Sequence, residues 1–222
     1  MDSPPAARNL RAGYLRAPIG LEAAPVLSWE PAGRQAGYQL VCETLASDAG
    51  PAATFTAERM SSSSVHRLDI PLAPVTGYRW RVRTRPEVRW GPWSPWGTFE
   101  SALLDESGWR GAQWIRSGPD GRAPILSASF TAPRTSRPRL FLCGLGLANA
   151  RINGQPVGPA VLDPPPSAYD ETVWYRVIDV SGLVREGSNE LSVFLGRGFY
   201  AMTTPTSFNW HKAPWHAEPK LR

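Results

Sequence analysis

Apolar residues in this chain come in short alternating runs and never in long stripes. Alternation with a period of two puts every second side chain on one face of a strand, whereas a helix needs apolar positions three and four apart. In residues 25–29, Leu27 and Trp29 share a face; residues 38–42 read as the next strand, and Phe55 belongs to a third. Leu72, Pro74, Thr76, Tyr78 and Trp80 then occupy every second position, and Arg79, Arg81 and Arg83 alternate with Trp80 and Val82. Residues 125–130, 140–143, 173–177 and 191–195 predict further strands. No amphipathic helical stripe of ten or more residues interrupts them.

Turn chemistry sits between the runs. Asn153-Gly154 suits a two-residue hairpin, because both residues tolerate positive φ. Asp179-Val180-Ser181 and Gly187-Ser188-Asn189 read as short turns, and residues 218–222 read as the start of another strand. With 23 prolines and 20 glycines spread over 222 residues, the pattern predicts many short strands, an all-β chain long enough for two modest cores. The expected division is a first sandwich over 1–100, a tryptophan-rich linker and lead-in strand over 101–123, and a second sandwich over 124–222.

Charge changes the picture little. The net charge of +5 invites a nucleic-acid partner, but the basic residues are almost all arginine, interspersed with acids, and the most basic run is one alternating strand. A solvated arginine face is the expectation, with no nucleic acid as partner. Cys42 and Cys143 each lie in an apolar run, which predicts buried free thiols over a disulfide. The N-terminal segment has an acid at Asp2, two prolines and no apolar core of a signal peptide, and no apolar run reaches membrane-spanning length. A cytoplasmic protein with no membrane partner is expected.

Trp90, Trp93 and Trp96 recur at a spacing of three in the run WGPWSPW. They can interleave with Arg79, Arg81 and Arg83 as a cation–π ladder, or offer their faces as a sugar platform; the ladder is the favoured reading. The spacing of residues 72–80 resembles the fibronectin type III pattern, in which a tyrosine packs back at the corner before a late strand. Trp109 to Ile115 reads WRGAQWI, the Tyr169-Asp170 pair leads towards a strand, and residues 195–200 read LGRGFY. Together with the 139–200 segment, these resemble the N-terminal region of bacterial α-L-rhamnosidases of glycoside hydrolase family 78. That resemblance implies a fibronectin-like sandwich followed by a jelly-roll, galactose-binding-like sandwich that is incomplete at residue 222. It also implies an inverting hydrolase of terminal rhamnosyl residues, with its acid and base in an (α/α)6 barrel that these residues do not contain.

The candidate chemistry follows from both readings. Glycoside hydrolysis needs two carboxyl groups flanking the bond. Asp163, Asp170, Glu171 and Asp179 are the carboxylates of interest, yet none is expected to be catalytic, and Asp179 reads as a turn former. By the resemblance, Asp170 matches the calcium-linked rhamnose site of some family members; Glu171 stands where the family has asparagine, calcium accepts a glutamate oxygen, and the alternative is a pair of surface carboxylates at a strand start. Trp210, His211, Trp215 and His216 in a proline-bent loop combine aromatic faces with polar edges, as carbohydrate sites do, and they serve equally to pack against a neighbouring domain. His211 and His216 lack a third zinc ligand nearby. The glycines of residues 196–198 precede no helix and read as a close backbone turn, not a phosphate loop. Rhamnose-containing glycans or glycosides are the expected partners. A free-standing carbohydrate-binding or adhesion module and a plain structural spacer are the alternatives.

Overall fold

A computed structural model describes residues 5–45, 53–116, 118, 123–134 and 137–222. Residues 1–4, read above for a leader, and residues 117 and 119–122 of the expected linker lie outside the described residues. The chain divides into two compact units, Met1–Arg110 and Gly111–Arg222. Ser101 to Arg110 completes the first unit: the Ser101 hydroxyl donates to the Ala73 carbonyl (2.6 Å) and accepts from the Thr76 N–H (2.9 Å). Among the described residues no helix is long and apolar enough to cross a membrane.

The first unit holds β1 (Arg8–Ala12), β2 (Val26–Glu30), β3 (Gly37–Thr44), β4 (Thr54–Arg59), β5 (Val65–Arg67), β6 (Gly77–Arg85) and β7 (Gly97–Glu100). They form two antiparallel sheets, ordered β1-β2-β5 and β4-β3-β6-β7. Alternation decides the core: Leu27, Trp29, Tyr38, Leu40, Cys42, Tyr78, Trp80, Val82 and Phe99 are buried together. The expected corner is present. The Ala73 N–H donates to Tyr78 Oη at 2.8 Å, and the Tyr78 ring stacks on Phe99 with centroids 4.8 Å apart.

The second unit contains β8 (Ile125–Ala132), β9 (Arg139–Leu145), β10 (Leu147–Ile152), β11 (Gln155–Pro156), β12 (Tyr175–Asp179), β13 (Gly187–Gly196) and β14 (Lys220–Leu221). One sheet is ordered β11-β10-β13-β8 and the other β12-β9-β14. Apart from the β10–β11 hairpin, successive strands alternate between the sheets, the connectivity of a jelly roll rather than of a meander. Asn153 and Gly154 join β10 to β11 with φ of 52° and 79°, both positive as a primed hairpin turn demands. Residues 218–222 do hold a strand: β14 pairs with β9, and Ile115 exchanges both backbone bonds with Leu221 (2.8 and 2.9 Å).

Two local expectations are corrected. The strand expected over 173–177 runs Tyr175–Asp179, because Ala168 accepts from the N–H groups of Glu171 and Thr172 and keeps the chain in a turn before it. The turn expected at 187–189 is already part of β13. Asn189 is 2% exposed, and its side chain donates to the carbonyls of Arg185 (2.7 Å) and Gly187 (2.9 Å), so it closes the preceding loop from inside the strand. Both thiols are free and buried; burial pushes Cys42 up to about 12 and Cys143 up to about 11, so neither is a reactive thiolate.

Candidate functional site at the aromatic end of the second sandwich

Four surfaces bear on function, beginning with the tryptophan run. Residues 90–96 track β6: the Gly91 N–H donates to the Thr84 carbonyl and the Ser94 N–H to the Val82 carbonyl, at 2.9 and 2.8 Å. That register slots the indoles between arginines. Trp96 carries Arg79 and Arg81, each 4.4 Å from the ring centroid; Trp93 carries Arg81 and Arg83, each at 4.8 Å; and Trp90 carries Arg83 and Arg85 at 5.4 and 4.9 Å. Arg85 extends the ladder one rung beyond the three arginines read from the sequence. Glu43 anchors one end by accepting from Arg79 Nε and Nη2 at 2.8 and 2.6 Å. With the protein's own guanidiniums on all three rings, the ladder is built as a brace for the strand.

The carboxylates of the second unit sort themselves by partner. Asp163 is largely buried and accepts from Arg176 Nη1 at 2.6 Å. Asp179 accepts from the Ser181 N–H (2.9 Å) and hydroxyl (2.6 Å) and lies 2.9 Å from Arg139. Those Ser181 bonds hold its carboxyl below the usual range, the behaviour of a turn former. Glu218 takes both terminal bonds of one Arg197 nitrogen at 3.2 Å. Asp170 and Glu171 stand apart: both are exposed, side by side in the turn that follows Ala168.

Tyr169 brings that turn to the 208–216 loop. Its ring meets Trp215 edge-on at 4.8 Å and Tyr200 at 5.2 Å, and Tyr200 stacks on Trp215 at 5.9 Å. Leu145 and Ala201 close this small core from beneath. Asp170 and Trp215, far apart in the chain, therefore belong to one end of the second sandwich. Trp210 forms a second aromatic group, 4.2 Å from Phe199 and 5.7 Å from Phe208, whose side chain is 75% exposed. His216 Nε2 donates to the Met202 carbonyl at 2.9 Å, which ties it to the loop and fixes its proton on that nitrogen. His211 Nδ1 and Thr206 Oγ1 are buried without a hydrogen-bond partner. Buried polar groups are nearly always paired, so these two atoms, like Nε of Arg81 and Arg85 in the first unit, are exceptions. Trp215 and the Tyr169-Asp170 pair were read from the sequence, whereas Tyr200, Thr206 and the meeting of Tyr169 with Trp215 were not; the L-G-R-G-F-Y run was the one signal near Tyr200, and it pointed to a turn. That turn exists: Gly198 has φ of 53°, and a Cβ there would sit 3.1 Å from Leu147 Cγ.

A calcium ion takes six to eight oxygen ligands. Asp170 and Glu171 supply two neighbouring carboxylates, and among the described residues no group of three His, Cys, Asp or Glu side chains could hold a metal. These two side chains alone do not make a calcium cage.

Two antiparallel sandwiches in series, one with a tyrosine corner and one with jelly-roll connectivity, make this a tandem β-sandwich protein. Comparison with known sequences narrows the class. Residues 7–105 match the Rha78A-like N-terminal immunoglobulin domain, and residues 133–222 match the α-L-rhamnosidase N-terminal domain. The chain thus carries the N-terminal domain pair of the α-L-rhamnosidases and fits an N-terminal region of glycoside hydrolase family 78. An α-L-rhamnosidase of Formosa agariphila is 30% identical over 64% of this chain and 17% of its own length. Another, from Streptomyces avermitilis, is 39% identical over 44% of this chain and 11% of its own. The solved structure of an α-L-rhamnosidase from Dictyoglumus thermophilum superposes on 99% of this chain and 27% of its own, with a TM-score of 0.75 and 27% identity. The chain therefore spans less than a fifth of the length of these curated relatives.

Proposed function

We propose that this chain is the non-catalytic N-terminal part of an α-L-rhamnosidase, an inverting hydrolase of terminal α-L-rhamnosyl residues whose acid and base reside in a separate barrel. In this reading the sandwiches support that barrel, and the aromatic end of the second one contacts rhamnosyl sugar. The absence of a catalytic pair here is supported by the commitments of Asp163, Asp179 and Glu218 to arginine and serine partners. An inverting pair would instead face each other across about 6.5–9.5 Å with room for water.

The observation that carries the sugar-contact reading is the meeting of the Asp170 turn with the 208–216 loop through Tyr169 and Trp215. It sets a carboxylate and indole edges at one end of one domain. Aromatic bodies accept the apolar C–H face of a pyranose, and the polar groups accept its hydroxyl rim. Titration calorimetry of L-rhamnose into the chain, with calcium and then with chelator, is the test. Saturable binding that weakens about tenfold or more in Asp170→Ala and Trp215→Ala supports the reading, and loss of binding on chelation makes it calcium-linked. No heat of binding in either condition, with the protein folded, leaves the sandwiches as scaffold.

A further inference from the structure

A cleft lies on the same sandwich, lined by none of the residues of its aromatic end. Its volume is about 620 Å³, within the range of small-ligand sites. Register builds its floor. Ile125 of β8, Phe194 of β13 and Asn149 of β10 are directly opposite one another across three strands, so their side chains share one face, and Arg151 follows two residues along β10 on that face. Val161 and Arg176 are among the other residues that line it. Ile125, Phe194 and Val161 are 66%, 43% and 79% exposed, three large apolar side chains around one hollow.

The charge of this hollow is specific. Arg176 is neutralised by Asp163 at 2.6 Å. Arg151 is not: it is exposed, donates from Nη1 to the Gly154 carbonyl at 2.9 Å, and meets no carboxylate among the described residues. The cleft therefore combines one uncompensated guanidinium, an amide and an apolar ring wall. A guanidinium fork matches a carboxylate bidentately, and an exposed phenyl ring suits the C–H face of a pyranose.

We infer that this cleft binds a uronate sugar, with Arg151 on its carboxylate, Asn149 on its hydroxyls and Phe194 against its ring. The site is separate from the aromatic end and stands or falls independently of rhamnose binding there. The test titrates the chain with methyl D-glucuronide and methyl D-galacturonide, each beside its neutral methyl glycoside. At least one uronide is expected to bind about tenfold or more tightly than its neutral counterpart, the size of one charge-assisted hydrogen-bonded contact. Arg151→Gln should erase that preference, Phe194→Ala should weaken the uronide, and Asp170→Ala should leave it unchanged, with thermal melts showing each variant folded. Equal affinity for charged and neutral sugars overturns the inference. So does a preference that survives in Arg151→Gln, or one that Asp170→Ala removes.

Discussion

His66 shows how one buried residue sets a response of the whole domain. It is 8% exposed, bonds through Nδ1 to Tyr38 Oη at 2.9 Å, and packs near Phe55. Burial, with the charge of Arg59 adding to it, lowers its pKa below the ordinary value of 6.5. The unfolded chain then takes up a proton that the folded chain refuses. Stability contributed by the neutral ring is complete above pH 6.5 and falls as pH drops from there through the lowered folded value. The urea midpoint of the wild type is therefore expected to fall between pH 7.5 and 5.5, and that fall should shrink in His66→Phe. An identical pH slope in the two proteins would show that the loss comes from other groups. Nothing in the sequence marked His66, since a lone histidine in a three-residue strand carries no local signal; its partner Tyr38 comes from another sheet.

Among elements, the arginine–tryptophan ladder is the clearest case of pattern becoming structure. Spacing of two in the arginines and three in the tryptophans was readable because each reports a local repeat, one of an extended strand and one of a run following its edge. Removing Trp93 breaks two contacts, those of Arg81 and Arg83 at 4.8 Å. At roughly 0.5–1 kcal/mol per exposed pair, Trp93→Ala should lower the unfolding free energy by about 1–2 kcal/mol, read from urea denaturation. An unchanged midpoint would mean the stack is ornamental. The hairpin at Asn153-Gly154 was equally legible, but the further use of Asn153 was not. Its amide donates to the Leu183 carbonyl and to Asn189 Oδ1, both at 2.9 Å, and its Oδ1 accepts from the Glu190 N–H at 3.0 Å. These bonds stitch the turn to a loop remote in sequence, so no local rule could reveal them. The misplaced starts of β12 and β13 have the same origin, because side-chain and backbone bonds from outside the run decide where pairing begins.

For the whole molecule, the expected outcome is binding without turnover. Incubated with p-nitrophenyl α-L-rhamnopyranoside, the purified chain should release nitrophenol no faster than a buffer blank, because Asp163, Asp179 and Glu218 are held by arginines and turns, and Asp170 and Glu171 are neighbours in one turn instead of a pair facing each other across a cleft. Measurable hydrolysis that a carboxylate variant abolishes would refute that assignment. What the sequence determined by itself was everything governed by near neighbours: the all-β character, the run of most strands, the primed hairpin, the Asx turn at Asp179, the tyrosine corner, the ladder and the family resemblance. Alternation and turn propensity act over a few residues, so they are written along the chain. Tertiary structure alone decided which carboxylates were spoken for, that Tyr169 meets Trp215, that Thr206 and His211 keep unpaired polar atoms, and that three strands align Ile125, Phe194 and Asn149 around a cleft. Each of these depends on strand register and on sheet-to-sheet packing, which are properties of contacts between distant segments and leave no periodic trace in either one.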